Sequence, residues 1–158
     1  MNTAVATGSS INRKGEMGMH NVNAVNKQGH TPLMEAAKEG DAEGVKDLLR
    51  RGAELEAKSS KGKTALHYAA ANGHLDVVNL LIASGADINA RDKEWHTPLM
   101  LAAIYGCNHT VQTLINNGAD VHAKTLAGNT AMIYAKNNDH PLAFALLQKA
   151  ERAKQATA

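Results

Sequence analysis

The residues of this chain whose types could support chemistry are eight histidines and one cysteine. Cys107 with His109 two residues later could act as nucleophile and base, and grouped histidines could bind a metal ion. A nucleophile also needs a third group that orients its base. The sequence has no C-x-x-C, H-E-x-x-H or carboxylate-rich metal motif, and no G-x-x-x-x-G-K-[ST] or G-x-G-x-x-G phosphate-binding motif. We therefore expect no enzyme activity, no metal site and no cofactor; an enzymatic or metal-binding protein is the least favoured alternative.

The elements that would position these residues repeat with a period of 33 residues. The string TPLMEAA at 31–37 returns as TALHYAA at 64–70, TPLMLAA at 97–103 and TAMIYAK at 130–136, without insertion. A fixed period of this size is typical of stacked helical units that present a long surface to another macromolecule. After 26 leading residues, the register gives four units: 27–59, 60–92, 93–125 and 126–158.

Each unit is predicted to contain two helices. A threonine that can cap the first helix opens each motif, and Pro32 and Pro98 follow it where a missing N–H is tolerated. Glycines end both helices, and Val78, Leu81 and Ile82 show the apolar spacing of a second helix. The expected helix pairs are 31–38 and 42–51, 64–72 and 75–83, 97–105 and 108–117, and 130–137 and 140–152.

The motif G-x-T-P-L-x-x-A-A, followed by glycine and then L-[LI]-x-x-G-A-D-x-N-A, resembles the ankyrin repeat. Residues 60–92 follow it almost position by position, and the resemblance covers about residues 21–158. It implies an all-α solenoid of four helix-turn-helix units with projecting turns, in which the turns and first helices form a concave binding surface. It also implies that His67 makes hydrogen bonds across turns.

The two ends of the chain depart from the repeat pattern. Unit four has Lys136 and Asp139 in place of alanine and glycine, and unit one carries 13 charged residues, which indicates polar caps at both ends. Residues 21–24 look like the tail of an eroded earlier repeat. We expect residues 1–20 to be a mobile leader or a loose N-terminal cap, residues 21–158 to form the ankyrin repeat domain, and the array to be complete.

Composition limits the class of partner. The net charge of +2 is spread nearly evenly over the units without a basic stripe, so nucleic acid is not expected to bind. No apolar run approaches the ~18–20 residues that span a membrane, and the N-terminus does not resemble a secretion signal. The single cysteine excludes an internal disulfide. A cytoplasmic protein is expected, monomeric on its own and without a membrane partner.

Four of the five aromatic residues map to the side of the repeat that the family uses for binding. Trp95 stands where the other units have glycine, in a turn that needs a left-handed backbone, which costs a bulky residue ~1–2 kcal/mol. Because broken local rules cluster at functional sites, Trp95 is predicted to anchor a partner. The alternative is a rearranged turn whose ring packs on the adjacent finger. Tyr68 and Tyr134 could also serve as packing against neighbouring helices.

The sequence therefore predicts a non-enzymatic module that binds another protein, as an adaptor, scaffold or stoichiometric inhibitor. Alternatives within the same class are a bacterial immunity protein or a host-directed effector of ankyrin type. Cys107 is predicted to be a solvent-facing thiol, and each histidine to have a structural or surface role. The predicted partner-binding residues are Lys61, Lys63, Tyr68, Trp95, His96, Leu101, Ile104, Tyr105 and Tyr134.

Overall fold

A computed structural model describes residues 21–157, and this part of the chain contains eight α-helices and no strand. The helices are α1 (Pro32–Glu39), α2 (Ala42–Arg50), α3 (Ala65–Ala71), α4 (Leu75–Ala83), α5 (Pro98–Ile104), α6 (Asn108–Asn116), α7 (Ala131–Asn137) and α8 (Pro141–Ala156). First helices α1, α3, α5 and α7 pack on one another in order, and the second helices form a parallel layer. This confirms the all-α solenoid of four helix-turn-helix units. Only α8 departs clearly from the predicted bounds, because it continues beyond residue 152.

The first helices begin at the predicted threonines. The hydroxyl oxygen of Thr31 accepts the N–H of Met34 at 3.3 Å, and Thr97 and Thr130 cap α5 and α7 in the same way. Thr64 begins α3 with a different partner, because Nδ1 of His67 accepts the Thr64 N–H at 3.1 Å and lies 2.9 Å from its hydroxyl. These caps satisfy N–H groups that a helix leaves unpaired at its start.

The turn between the two helices of a unit holds a residue with positive φ. At Gly106 (φ 67°) an added Cβ would stand 2.6 Å from the His140 ring of the next unit, so glycine is required there by contact as well as by conformation. Asp139 adopts φ 55° at the same position of unit four. A side chain fits at Asp139 because no further unit packs against it within residues 21–157.

The core lies between the two helix layers and is built from alanine, leucine and valine. Paired alanines such as Ala69 and Ala70 are fully buried, which lets adjacent first helices approach closely. The second helices contribute large aliphatic side chains, of which Leu81, Leu114 and Leu147 are fully buried. None of the helices in the described part of the chain is long and apolar enough to cross a membrane.

Residues 21–24 form the same turn that closes each later unit. The N–H of Ala24 donates to the Asn21 carbonyl at 2.9 Å, and the Glu54 N–H donates to Oδ1 of Asn23 at 2.8 Å. Residues 21–24 therefore have the turn expected at the end of a repeat, and their origin as the tail of an eroded repeat stays a prediction. The leader or loose cap expected at residues 1–20 lies outside the described residues and stays a prediction.

Candidate functional site

Four tight turns precede the first helices, and we name them fingers one to four: residues 25–30, 58–63, 91–96 and 124–129. The second residue of each finger closes the turn with its side chain. In finger three, Oδ1 of Asp92 accepts the N–H of His96 at 2.8 Å and that of Glu94 at 3.0 Å. Asn26, Ser59 and Thr125 accept the corresponding N–H in the other fingers. The fingers are therefore shaped by their own hydrogen bonds.

Neighbouring fingers are joined to one another by a backbone hydrogen bond at each step of the stack. The three N–H to carbonyl pairs, at 3.1–3.2 Å, are Ser60 to Gln28, Lys93 to Lys61 and Leu126 to Glu94. The fingers thus form one continuous row along the edge of the first-helix layer.

Trp95 keeps the left-handed backbone of the glycines that it replaces. Its φ is 68°, close to the 77° of Gly62, so the alternative of a rearranged turn is wrong. The side chain is 46% exposed, and the guanidinium carbon of Arg91 in the same finger stands 4.9 Å from the ring centre. A cation over an exposed ring contributes about 0.5–1 kcal/mol. Trp95 therefore contacts its own finger and still presents about half of its surface.

Leu126, which the sequence reading missed, lies at the tip of finger four and is 64% exposed. Between fingers three and four opens a cleft of about 210 Å³, lined by Glu94, His96, Thr125, Leu126, Ala127 and Tyr134. Units one to three carry lysine or serine at the position of Leu126. An apolar residue at an otherwise polar register position was the signal that could have found it.

Tyr68 in α3 contacts finger one, and Tyr134 in α7 contacts finger three, so each tyrosine connects its helix to the finger of the preceding unit. The Tyr68 hydroxyl lies 2.9 Å from Nε2 of His30, and the Tyr134 hydroxyl lies 3.1 Å from Nε2 of His96. The other ring nitrogen of His30 is 2.6 Å from the Glu35 carboxylate. Both tyrosines are half-buried. Their hydroxyls are engaged inside the protein, which favours the packing alternative; a role in binding stays a prediction.

Leu101 stands at the register position of these tyrosines but is only 5% exposed, so the prediction that it contacts a partner needs correction. Its shorter side chain stays covered by its neighbours. Tyr105, by contrast, is 62% exposed at the end of α5, beside the half-buried Ile104. The seven residues of α5 separate Tyr105 from Trp95 by about 10 Å along the helix axis. The two predicted anchors therefore flank opposite ends of α5.

The fingers collect positive charge that a sum over each unit does not show. Their basic residues are Lys27, Lys58, Lys61, Lys63, Arg91, Lys93 and Lys124. The fingers contain two acids, the exposed Glu94 and the buried Asp92. None of the seven cations forms an ion pair with a carboxylate in residues 21–157. The expectation that no basic stripe exists is therefore wrong, because stacking brings residues about 33 apart in sequence side by side.

Cys107 is half-buried, which corrects the expectation of a solvent-facing thiol. Its sulfur lies 3.7 Å from the carbonyl oxygen of Ala71 in the preceding unit. His74 and His140, at the same register position, each place Nε2 2.9 Å from a carbonyl oxygen of the unit before. Burial raises the pKa of the Cys107 thiol, which disfavours the reactive thiolate. The side chain at this register position, whether histidine or cysteine, therefore contacts the preceding unit.

His67 is fully buried at the junction of units two and three. Its Nε2 lies 2.9 Å from the carbonyl oxygen of His96, while its Nδ1 accepts the N–H of Thr64. Burial lowers the pKa of His67 to about 4, so the ring is neutral near pH 7. The bond across turns that the resemblance implied is confirmed. In the described residues, no group of three or more His, Cys, Asp or Glu is arranged to hold a metal ion.

Family models agree with this architecture. One model, ankyrin repeats in three copies, matches residues 11–92, and another, ankyrin repeats in many copies, matches residues 83–135. None of the curated proteins matches the chain. Ankyrin repeats are generally protein-interaction modules. With eight helices in the 33-residue register and one model covering more than half of its residues, the chain belongs to the ankyrin repeat family.

Proposed function

We propose that this protein is a non-enzymatic binding protein that occupies or scaffolds a partner protein through its fingers and first helices. Trp95 carries the proposal. Its left-handed backbone costs the fold ~1–2 kcal/mol, and its contact with Arg91 returns only about 0.5–1 kcal/mol. A large aromatic side chain that strains the fold and stays half exposed is explained by a contact outside the chain.

The row of fingers also supports binding to a large, structured partner. Each finger is closed by its own side chain and bonded to the next finger, so little backbone has to become ordered on binding. A preformed surface loses less conformational entropy than a flexible one, which suits an adaptor or an inhibitor. The proposed contact residues are Lys61, Lys63, Trp95, His96, Ile104, Tyr105 and Leu126, with the half-buried Tyr68 and Tyr134.

The same geometry supports a function without catalysis. Cys107 faces a carbonyl oxygen of the neighbouring unit, and His67 has both ring nitrogens engaged by the fold. His109, the base that the sequence places nearest to Cys107, is exposed on α6. A nucleophile, a base and an orienting group are therefore not assembled around Cys107.

An affinity capture from the native host, followed by equilibrium titration of the purified partner, tests the proposal. Trp95→Ala should weaken binding by ~2 kcal/mol or more, about 30-fold, as expected of an interface hot spot. Lys46→Ala is the matched control, because Lys46 lies on the outer helix α2 and pairs with Glu43 at 2.7 Å. A partner whose affinity depends on Lys46 and ignores Trp95 would move the interface to the second helices and overturn the proposal.

A further inference from the structure

We propose that the finger row selects an acidic protein segment that inserts one apolar side chain into the cleft between fingers three and four. The inference rests on the proposed function and names the class of partner. It depends on two features that the stack brings together: seven basic side chains that have no carboxylate partner within the described residues, and an apolar cleft between fingers three and four.

Charge separates the fingers from the rest of the protein. The whole chain has a net charge of only +2, whereas the fingers hold seven basic residues and two acids. The rest of the chain is therefore net negative. Lys61, Lys93 and Lys124 are exposed and have no ion-pair partner in the described residues. An acidic segment is attracted to the fingers and repelled by the remaining surface. This charge distribution orients the segment and raises its association rate.

The cleft between fingers three and four offers space for one apolar side chain. Leu126, Ala127 and Tyr134 supply the apolar lining, and Trp95 lies in finger three between two other lining residues, Glu94 and His96. Leu126 is 64% exposed, an apolar area that the fold leaves uncovered. Glu94 is also part of the lining, so the side chain that enters should be uncharged. The acids of the segment then lie away from Glu94, opposite the lysines.

The geometry of the stack fixes the spacing between these features. Packed helices lie 8–10 Å apart, so the cleft between fingers three and four is about 14 Å from finger two and about 5 Å from finger three. An extended segment advances about 3.3 Å per residue. Acids that meet Lys61 and Lys63 should therefore lie about four residues from the apolar side chain, and acids that meet Lys93 about one or two.

A nucleic acid is the less favoured occupant of the same row. Its phosphates carry charge at every nucleotide, and the carboxylates of Glu35, Asp92 and Glu94 lie in or beside the fingers. A peptide can place an uncharged residue opposite Glu94, whereas a phosphate backbone cannot.

Selection of a random 12-residue peptide library on the full-length protein tests the inference. The enriched peptides should be net acidic and contain leucine, methionine or an aromatic residue at the spacing given above. Their affinity should fall at least about tenfold in Lys61→Glu/Lys93→Glu, since like charges then face each other across the interface. Lys149→Glu/Lys154→Glu, on α8, makes the same change in net charge and should leave the affinity within about twofold.

The outcomes separate this inference from the proposed function. Peptides that need Trp95 but show no acidic preference would overturn the inference and leave the proposed function standing. Peptides that bind equally to wild type and Trp95→Ala would overturn the proposed function as well. An empty selection, or a 12-nucleotide single-stranded DNA that binds more tightly than the best peptide, would also overturn the inference.

Discussion

The fingertips and the unit junctions beneath them occupy neighbouring register positions but use their side chains in different ways. In the junctions, His67, His74 and His140 each contact a carbonyl oxygen of an adjacent unit at 2.9 Å. At the fingertips, the side chains of Lys61 and Trp95 make no comparable hydrogen bond to another unit within residues 21–157. Substitutions in the junctions should therefore change stability, and substitutions at the fingertips should change binding.

The three junctions also differ from one another. At the first and third, a tyrosine hydroxyl meets a finger histidine, and a second histidine reaches the carbonyl of the preceding first helix. The middle junction has Lys63, Leu101 and Cys107 at the corresponding positions; the buried His67 bonds the His96 carbonyl at 2.9 Å, and the Cys107 sulfur makes only a longer contact of 3.7 Å with the Ala71 carbonyl. The same backbone stack is thus closed by two different sets of side chains, and the middle set depends on a neutral His67.

The largest expected effect is a loss of stability when His67 is protonated at acid pH. The folded pKa, about 4, lies below the unfolded value of about 6.5, so the unfolded chain binds the proton more readily between these pH values. The stabilising contribution is complete above about pH 6.5 and is lost as pH falls to about 4. This loss amounts to about 3 kcal/mol in the free energy of unfolding.

Urea unfolding at pH 7, 5.5 and 4 measures this effect, with His67→Met as the control. Methionine is the natural residue at this position in units one and three. The variant should lose less stability on acidification than the wild type, while its partner affinity at pH 7 stays unchanged. Equal acid sensitivity in both proteins would assign the effect to other groups.

Tyr105→Ala should weaken partner binding by ~2 kcal/mol, the scale of an interface hot spot. Because the side chain is 62% exposed at the end of α5, the thermal midpoint should hardly change. Titration calorimetry and thermal melts on the same samples compare the two quantities. A lower thermal midpoint with unchanged affinity would show that Tyr105 stabilises the fold, as the junction residues do.

Trp95→Gly should move stability and binding in opposite directions. Glycine adopts φ 68° without strain, so the free energy of unfolding should rise by about 1 kcal/mol, after the contact with Arg91 is lost. Partner affinity should fall as it does for Trp95→Ala. Lower stability of the glycine variant in urea would show that the ring supports the fold.

Cys107→His should make the middle junction resemble the other two. Gly73 lies next to Cys107 as Gly106 lies next to His140, so the preceding turn offers the same space for a ring. Replacement of the weak thiol contact by an imidazole hydrogen bond to the Ala71 carbonyl should raise the free energy of unfolding by about 0.5–1 kcal/mol. Cys107→Ser, the control, should stay within about 0.5 kcal/mol of the wild type. Destabilisation by histidine would mean that the middle junction is packed differently.

Local features of the sequence predicted the fold, and contacts between units determined what it could not predict. Threonine caps and helix-ending glycines act within a few residues, so they placed the helices nearly as observed. The conformation of Trp95 followed from its glycine equivalents for the same reason. The end of α8 was underestimated, because the register predicted a stop that its residues do not enforce.

The site was predicted less completely because exposure and charge depend on neighbours in the stack. Leu101 has the register position of a contact residue, but neighbouring side chains cover it. Cys107 looked like a surface residue until the preceding unit supplied the carbonyl of Ala71. The basic row and Leu126 become visible only when the four fingers are placed side by side. Aligning the units by position, rather than summing charge within each, would have revealed both.

The most direct test of the account is the fluorescence of Trp95 during binding, since it is the only tryptophan in the chain. The identified partner, or the best selected peptide that lacks tryptophan, is titrated into the wild-type protein at low and at high salt. The account predicts a saturable change in Trp95 emission with the Kd found by calorimetry, and weaker binding at high salt. A ligand that binds by calorimetry without changing the Trp95 emission would contradict it.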